Sequence, residues 1–182
     1  MGALVLGHGA NGGVDAPDLV AVTQAAGAAG MSVALLEQPY RVAGRRSPAP
    51  GHQLDTAWEA VLEQLSADAL KGLEIIVGGR SSGARVACRT AASVGAAAVL
   101  CLAFPLHPPG KADDPAKSRL EELEAVEVPV LIVQGERDQF GMPPESPGRT
   151  VVRVPGNHSL RDTGAVGAAV SEWLAGRVPV GS

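Results

Sequence analysis

The sequence predicts an α/β fold of about six mostly parallel strands with helices on both faces, and three observations carry that reading. Six short apolar runs, near residues 3–6, 32–37, 74–78, 97–103, 129–134 and 150–154, alternate with helical stretches. Parallel strands need a crossover between them, so this alternation is the signature of a parallel sheet. Runs such as Pro129-Val130-Leu131-Ile132-Val133 are apolar at every position, as in strands covered on both faces. Finally, glycines and polar residues gather just past the ends of these runs, at one edge of the sheet.

Taken in order, Ala3-Leu4-Val5-Leu6 is the first strand, and the loop Gly7-His8-Gly9-Ala10-Asn11-Gly12-Gly13 follows it with exposed backbone N–H groups. The first helix begins near Asp15-Ala16-Pro17-Asp18: Asp15 can cap it, Pro17 fits the first turn, and Asp18 suits the positive end of the dipole. After the second strand, the loop 40–51 brings Tyr40, Arg41, Arg45 and Arg46 within reach of a pocket rim. Paired guanidinium groups there would favour a substrate carboxylate or phosphate, the alternative being an ordinary solvated loop. A helix over 54–66 leads to the third strand.

That strand ends in Gly79-Arg80-Ser81-Ser82-Gly83. Strand exit and helix start on adjacent residues force the central serine into strained angles, and only glycines two positions either side let the turn close. Ser81 is the candidate nucleophile. The following helix, 82–93, holds Cys88, and the fourth strand holds Cys101. Both read as small buried hydrophobes, and without CxxC spacing they imply neither a disulfide framework nor a metal site. Only residues 105–127 separate the fourth and fifth strands, room for a loop and one short helix near 118–125. The fifth strand runs into Gln134-Gly135-Glu136-Arg137-Asp138, making Asp138 the candidate acid. The sixth runs into Pro155-Gly156-Asn157-His158, making His158 the candidate base, before a last helix over 163–176. For the oxyanion the donors are the N–H groups of Ser82 and Ala10, with Asn11 as the neighbour that replaces Ala10. His8 is expected to hold that loop, Arg80 and Lys111 rank below the arginines of the loop 40–51 as ligands for a substrate anion, and His52 has no evident chemistry.

Nucleophile, acid and base in the order Ser81, Asp138, His158 resemble the α/β-hydrolase superfamily. His8-Gly9-Ala10, Gly78-Gly79-Arg80-Ser81 and Phe104-Pro105-Leu106-His107-Pro108-Pro109-Gly110 resemble more closely its small lidless dienelactone-hydrolase-like group, which includes the testis-expressed hydrolase-like proteins. The resemblance implies a minimal α/β-hydrolase fold whose first strand corresponds to the superfamily's third, without a cap domain. The loops 40–51 and 106–115 would then wall a shallow, open pocket, His107 among them. It also implies a serine hydrolase that cleaves an ester, thioester or activated amide of a small molecule and needs no cofactor. The chain departs from the group in three places: Ser81 stands where dienelactone hydrolases use cysteine, Asn11 where glycine is usual, and Asn157 where aspartate commonly precedes the histidine.

At 182 residues the chain suits a single domain, 1–182. A formal net charge of −4 without any Lys/Arg block excludes the electrostatic footprint of a nucleic-acid binder. The longest apolar stretch, residues 96–104, is too short to span a bilayer, and no leader-like segment opens the chain. A cytoplasmic protein acting on a small-molecule acyl substrate is expected, and its oligomeric state is not specified. Two other readings compete. Gly7-x-Gly9-x-x-Gly12 with Glu37 matches a dinucleotide-binding fingerprint, although the helix begins too late to meet a pyrophosphate. A hydrolase fold can also persist as a catalytically silent interaction module.

Overall fold

The computed structural model describes residues 2–177; Met1 and 178–182, at the two ends of the expected 1–182 span, lie outside the described residues. Six strands pair in parallel: β1 (Gly2–Gly7), β2 (Ser32–Leu36), β3 (Glu74–Arg80), β4 (Ala98–Leu102), β5 (Val130–Gly135) and β6 (Arg149–Val154). Their order is β2-β1-β3-β4-β5-β6. The helices are α1 (Pro17–Ala28), a short α2 (Pro39–Val42), α3 (Gly51–Ala67), α4 (Ser82–Thr90), α5 (Leu120–Glu124) and α6 (Thr163–Ala175). Strand positions follow the expected ones within a residue or two, and the region after β4 holds only a 3-10 turn at Pro115–Lys117 and α5, with no cap domain.

Alternate side chains of each strand enter different cores, which is why the strands read as continuous apolar runs. Ala3 and Val5 of β1, Val99 and Cys101 of β4, and Ile132 of β5 pack beneath α3 and α4 with Trp58, Val86 and Phe104. Leu4, Leu6, Leu100 and Leu131 pack on the opposite face with Leu19 of α1 and Val170 and Leu174 of α6. Cys88 and Cys101, isolated in sequence, meet in the first core with sulfurs 3.5 Å apart. The hydrogen bond between them, and then burial, push the Cys101 thiol well above its ordinary range.

Two local expectations need correction. Asp15 does not cap α1: Ala16 occupies the cap position without a side-chain bond, and Pro17, whose missing N–H needs no partner, starts the helix. Asp18 does stand in the first turn, where its Oδ1 accepts the Leu19 N–H at 2.9 Å, and it is also buried. The loop 40–51 is also not wholly irregular, since Pro39 fixes φ at its start and a single helical turn, α2, forms there.

β1 is flanked by β2 on one side and β3 on the other, and the crossovers leaving β1 and β3 go to opposite faces. The connections leaving their paired carboxyl ends therefore diverge, opening the crevice where ligands sit in such sheets. The backbones approach very closely there. A Cβ on Gly79 would stand 2.6 Å from the Gly7 carbonyl oxygen, and one on Gly83 only 2.4 Å from the same oxygen. Gly83→Ala is therefore expected to destabilise by more than about 2 kcal/mol, since no flexible side chain can yield. Gly27→Ala, in an exposed part of α1 with nothing within 4 Å of the new methyl, is expected to stabilise by about 0.5–1 kcal/mol. Urea melts of both variants check the pair.

Candidate active site

Ser81 sits between β3 and α4 with φ 50° and ψ −108°, a left-handed conformation that a side-chain-bearing residue adopts only under constraint. Its N–H bonds to Leu102 O at 2.8 Å, pinning the turn to the end of β4. The Oγ lies 2.9 Å from His158 Nε2, and His158 Nδ1 lies 2.8 Å from Asp138 Oδ2. These partners assign the tautomer: Nδ1–H donates to the carboxylate, and Nε2 is left to accept from the serine hydroxyl.

The acid is held from several sides. Gln134 Nε2 donates to Asp138 Oδ2 at 2.8 Å and also approaches the carbonyls of Phe104 and Gly141. The Phe140 N–H donates to Oδ1 at 2.9 Å. Three N–H groups thus converge on an acceptor-only group, and its side chain is wholly buried. The Phe140 ring covers the His158 imidazole at 4.1 Å between centroids. The histidine loop closes against β5 because Gly135 has no side chain, a Cβ there falling 2.4 Å from Asn157 O. Asn157 Oδ1 accepts the Ser159 N–H at 3.0 Å, the turn-forming role open to aspartate as well.

On the other side of Ser81 the loop after β1 is fixed by buried His8, which bonds Gly9 O through Nδ1 and accepts the Gln38 N–H at Nε2. Tyr40 is buried, and its hydroxyl donates to Ala10 O at 3.1 Å. That bond sets the plane of the peptide joining Ala10 to Asn11, and with it the direction of the Asn11 N–H. Ala10, Asn11 and Ser82 all line the cavity that contains Ser81. Among the described residues, none of their three amide N–H groups has a backbone acceptor.

This cavity, of roughly 800 Å³, also takes in Pro48, Ala49, Leu54, Pro105, Phe140 and four arginines, Arg80, Arg85, Arg89 and Arg119. Several expected pocket residues are elsewhere. Arg45 and Arg46 line a neighbouring groove with Tyr40, because α2 carries the chain away before Pro48 and Ala49 return it to the rim. Tyr40 faces the Ala10 carbonyl rather than a substrate. His107 is not in the wall either: Nδ1 bonds Pro108 O, and the ring packs against Gly141. From the segment after β4 the wall receives Pro105 and Arg119, not the loop 106–115.

Arg80, expected at most as a minor ligand, joins three pieces of the site through its guanidinium. Nε bonds Asp18 Oδ2 at 2.8 Å, Nη2 bonds His158 O at 2.9 Å, and Nη1 abuts Gly9. Burial pushes the Asp18 carboxyl above its ordinary value, with Arg80 pulling the other way. Gln134 and Phe140 were also missed. A signal existed for Arg85 and Arg89, which follow Ser81 at intervals of four and so share one helix face. Among the described residues, no group of His, Cys, Asp and Glu is arranged to hold a metal ion, and no helix is long and apolar enough to cross a membrane.

The chain belongs to the alpha/beta hydrolase domain family, whose sequence profile it matches over residues 1–174. No curated protein is detectably similar in sequence. Among solved structures it is similar to a lidless α/β serine hydrolase of Xanthomonas campestris, with TM-score 0.72, 20% identity, and coverage of 94% of this chain and 81% of that one. It is also similar to Est1E of Butyrivibrio proteoclasticus, with TM-score 0.75, 17% identity, and coverage of 96% and 87%. A third is a dienelactone hydrolase of Anabaena variabilis, with TM-score 0.72, 20% identity, and coverage of 97% and 86%. At these identities the likeness is one of fold.

The Asp18–Arg80 pair is largely shielded, its side chains 1% and 19% exposed. Asp18→Ala removes both acceptor oxygens, leaving the Leu19 N–H and the Arg80 Nε without their partners, and is expected to destabilise by on the order of 3 kcal/mol, measurable by chemical denaturation.

Proposed function

We propose that the chain is a single-domain cytoplasmic serine hydrolase that cleaves an ester, thioester or activated amide of a small molecule through an acyl-enzyme. The observation that supports it most is the unbroken hydrogen-bonded series from Ser81 Oγ through both nitrogens of His158 to Asp138, opening on the same cavity. A location where thiols stay reduced suits the two buried, unbridged cysteines.

In this reading Ser81 Oγ attacks the acyl carbon while His158 Nε2 takes its proton, and Asp138 stabilises the imidazolium. The carbonyl oxygen becomes an oxyanion facing the Ser82 N–H and that of Ala10 or Asn11, each such donor contributing about 3 kcal/mol to the transition state. The imidazolium gives its proton to the leaving group as the carbon–oxygen, carbon–sulfur or carbon–nitrogen bond breaks. Water then enters, loses a proton to His158 and releases the acid, restoring the Ser81 hydroxyl. The proton passes from Ser81 Oγ to His158 Nε2, already within 3 Å of each other, and then to the leaving group, so these steps use no cofactor.

A fluorophosphonate probe is expected to label the protein, and Ser81→Ala to abolish labelling while leaving the melting curve cooperative. Labelling that survives in the variant sinks the assignment. His158→Ala should cut kcat by several orders of magnitude, whereas His107→Ala, outside the cavity, should leave the acylation burst on a p-nitrophenyl ester in place. The reverse pattern would make His107 the base.

A further inference from the structure

The cavity wall beside Ser81 is unusual in its charge. Its four guanidinium groups face three carboxylates: Asp18 on Arg80, Asp55 on Arg89, and Glu122 shared between Arg85 and Arg89. Four positive charges against three negative leave one over, and the pairing locates it. Arg119 makes one side-chain bond, from Nη1 to Pro105 O at 2.9 Å. Among the described residues no carboxylate oxygen lies within 4.0 Å of its guanidinium. The group is half-buried, and burial, followed by the Arg85 charge, holds it below its ordinary value, with the Glu122 carboxylate acting the other way from beyond ion-pair distance.

A guanidinium has five N–H donors in a planar fork, and among the described residues only one of those on Arg119 has a partner. Holding such a cation partly desolvated beside Arg85 is unfavourable unless an anion joins it. The helix sets the position of its two neighbours along the wall. Arg85 and Arg89 stand one and two turns along α4 from Ser81, about 6 and 12 Å at 1.5 Å per residue. Arg119 lines the same cavity as these two.

We propose that Arg119, backed by Arg85 and Arg89, is a specificity subsite for a fixed oxyanion, carboxylate or phosphate, at the far end of a short acyl chain bound to Ser81. The proposal rests on the serine-hydrolase reading and moves the anion preference expected of Arg45 and Arg46 to a different wall of the site. The substrate class it names is the monoester or monothioester of a short dicarboxylic acid, or its phosphorylated counterpart. An acyl chain of three to five carbons spans the nearer part of the gap.

The test compares p-nitrophenyl hemiglutarate, the neutral isostere p-nitrophenyl glutaramate, and p-nitrophenyl 4-phosphonobutyrate, on the unmodified protein, Arg119→Gln and Arg119→Lys. For the unmodified protein kcat/KM on an anionic ester is expected to exceed that on the glutaramate about tenfold or more, the range of a hydrogen bond to a charged group, and less at high salt. Arg119→Gln should bring that ratio close to one through KM, and Arg119→Lys should restore part of it. The better of the two anionic esters identifies carboxylate or phosphate as the natural group. Equal kcat/KM on all three esters, or a preference that Arg119→Gln retains, overturns the subsite. If no ester turns over and the fluorophosphonate does not label Ser81, the serine-hydrolase reading has failed instead. Calorimetric binding of glutarate then decides the subsite alone: binding abolished by Arg119→Gln upholds it, and no binding, or binding unchanged in the variant, removes it.

Discussion

The site depends on one steric fact, the contact between the end of β1 and the turn that carries Ser81. Gly79 and Gly83 each lie so close to the Gly7 carbonyl that a methyl group would overlap it. This contact seats α4 directly behind Ser81, whose φ is positive. It also brings the Ala10 and Asn11 loop beside the Ser82 amide, because that loop leaves β1 at the same contact. A larger residue at either glycine would separate the two halves of the crevice, and no rearrangement of surface side chains could restore it.

The other half of the site is held by polar bonds rather than by close approach. Gln134, fully buried at the end of β5, ties the Asp138 carboxylate to the backbone of Phe104 and Gly141. Arg80 ties the His158 carbonyl to Asp18 on α1 and leans on Gly9. The imidazole is thereby oriented by elements from four separate crossovers, and Phe140 shields it from one side. Such buried networks specify a single geometry because any member left without its partners costs the full desolvation of a polar group.

The sheet was legible because its central strands are apolar on both faces, and the three residues Ser81, Asp138 and His158 were legible because each lies just past a strand end. Local chemistry was enough for both. What escaped depends on contacts between distant segments. Nothing near Arg80 in the chain marks its part, since its partner Asp18 is 62 positions away. Gln134 reaches back 30 positions to Phe104 as well as to Asp138, and only the pairing of β4 with β5 brings that carbonyl to it. Arg45 and Arg46 misled because their direction is set by the turn of α2, which Pro39 begins and which no hydrophobic period announces in four residues. Asp15 misled for a similar reason, since Pro17 defines the start of α1 and puts Ala16 in the cap position.

The central claim is that Ser81 carries the acyl group during turnover. Quenching the protein in acid during the burst on p-nitrophenyl acetate, followed by peptide mass mapping, tests it directly. The account predicts one acetyl group on the peptide containing Ser81, fragmenting to that residue, with none on either cysteine. Acetylation confined to a lysine, a cysteine or Ser82, or steady ester turnover with no acyl-enzyme at any time, would contradict it.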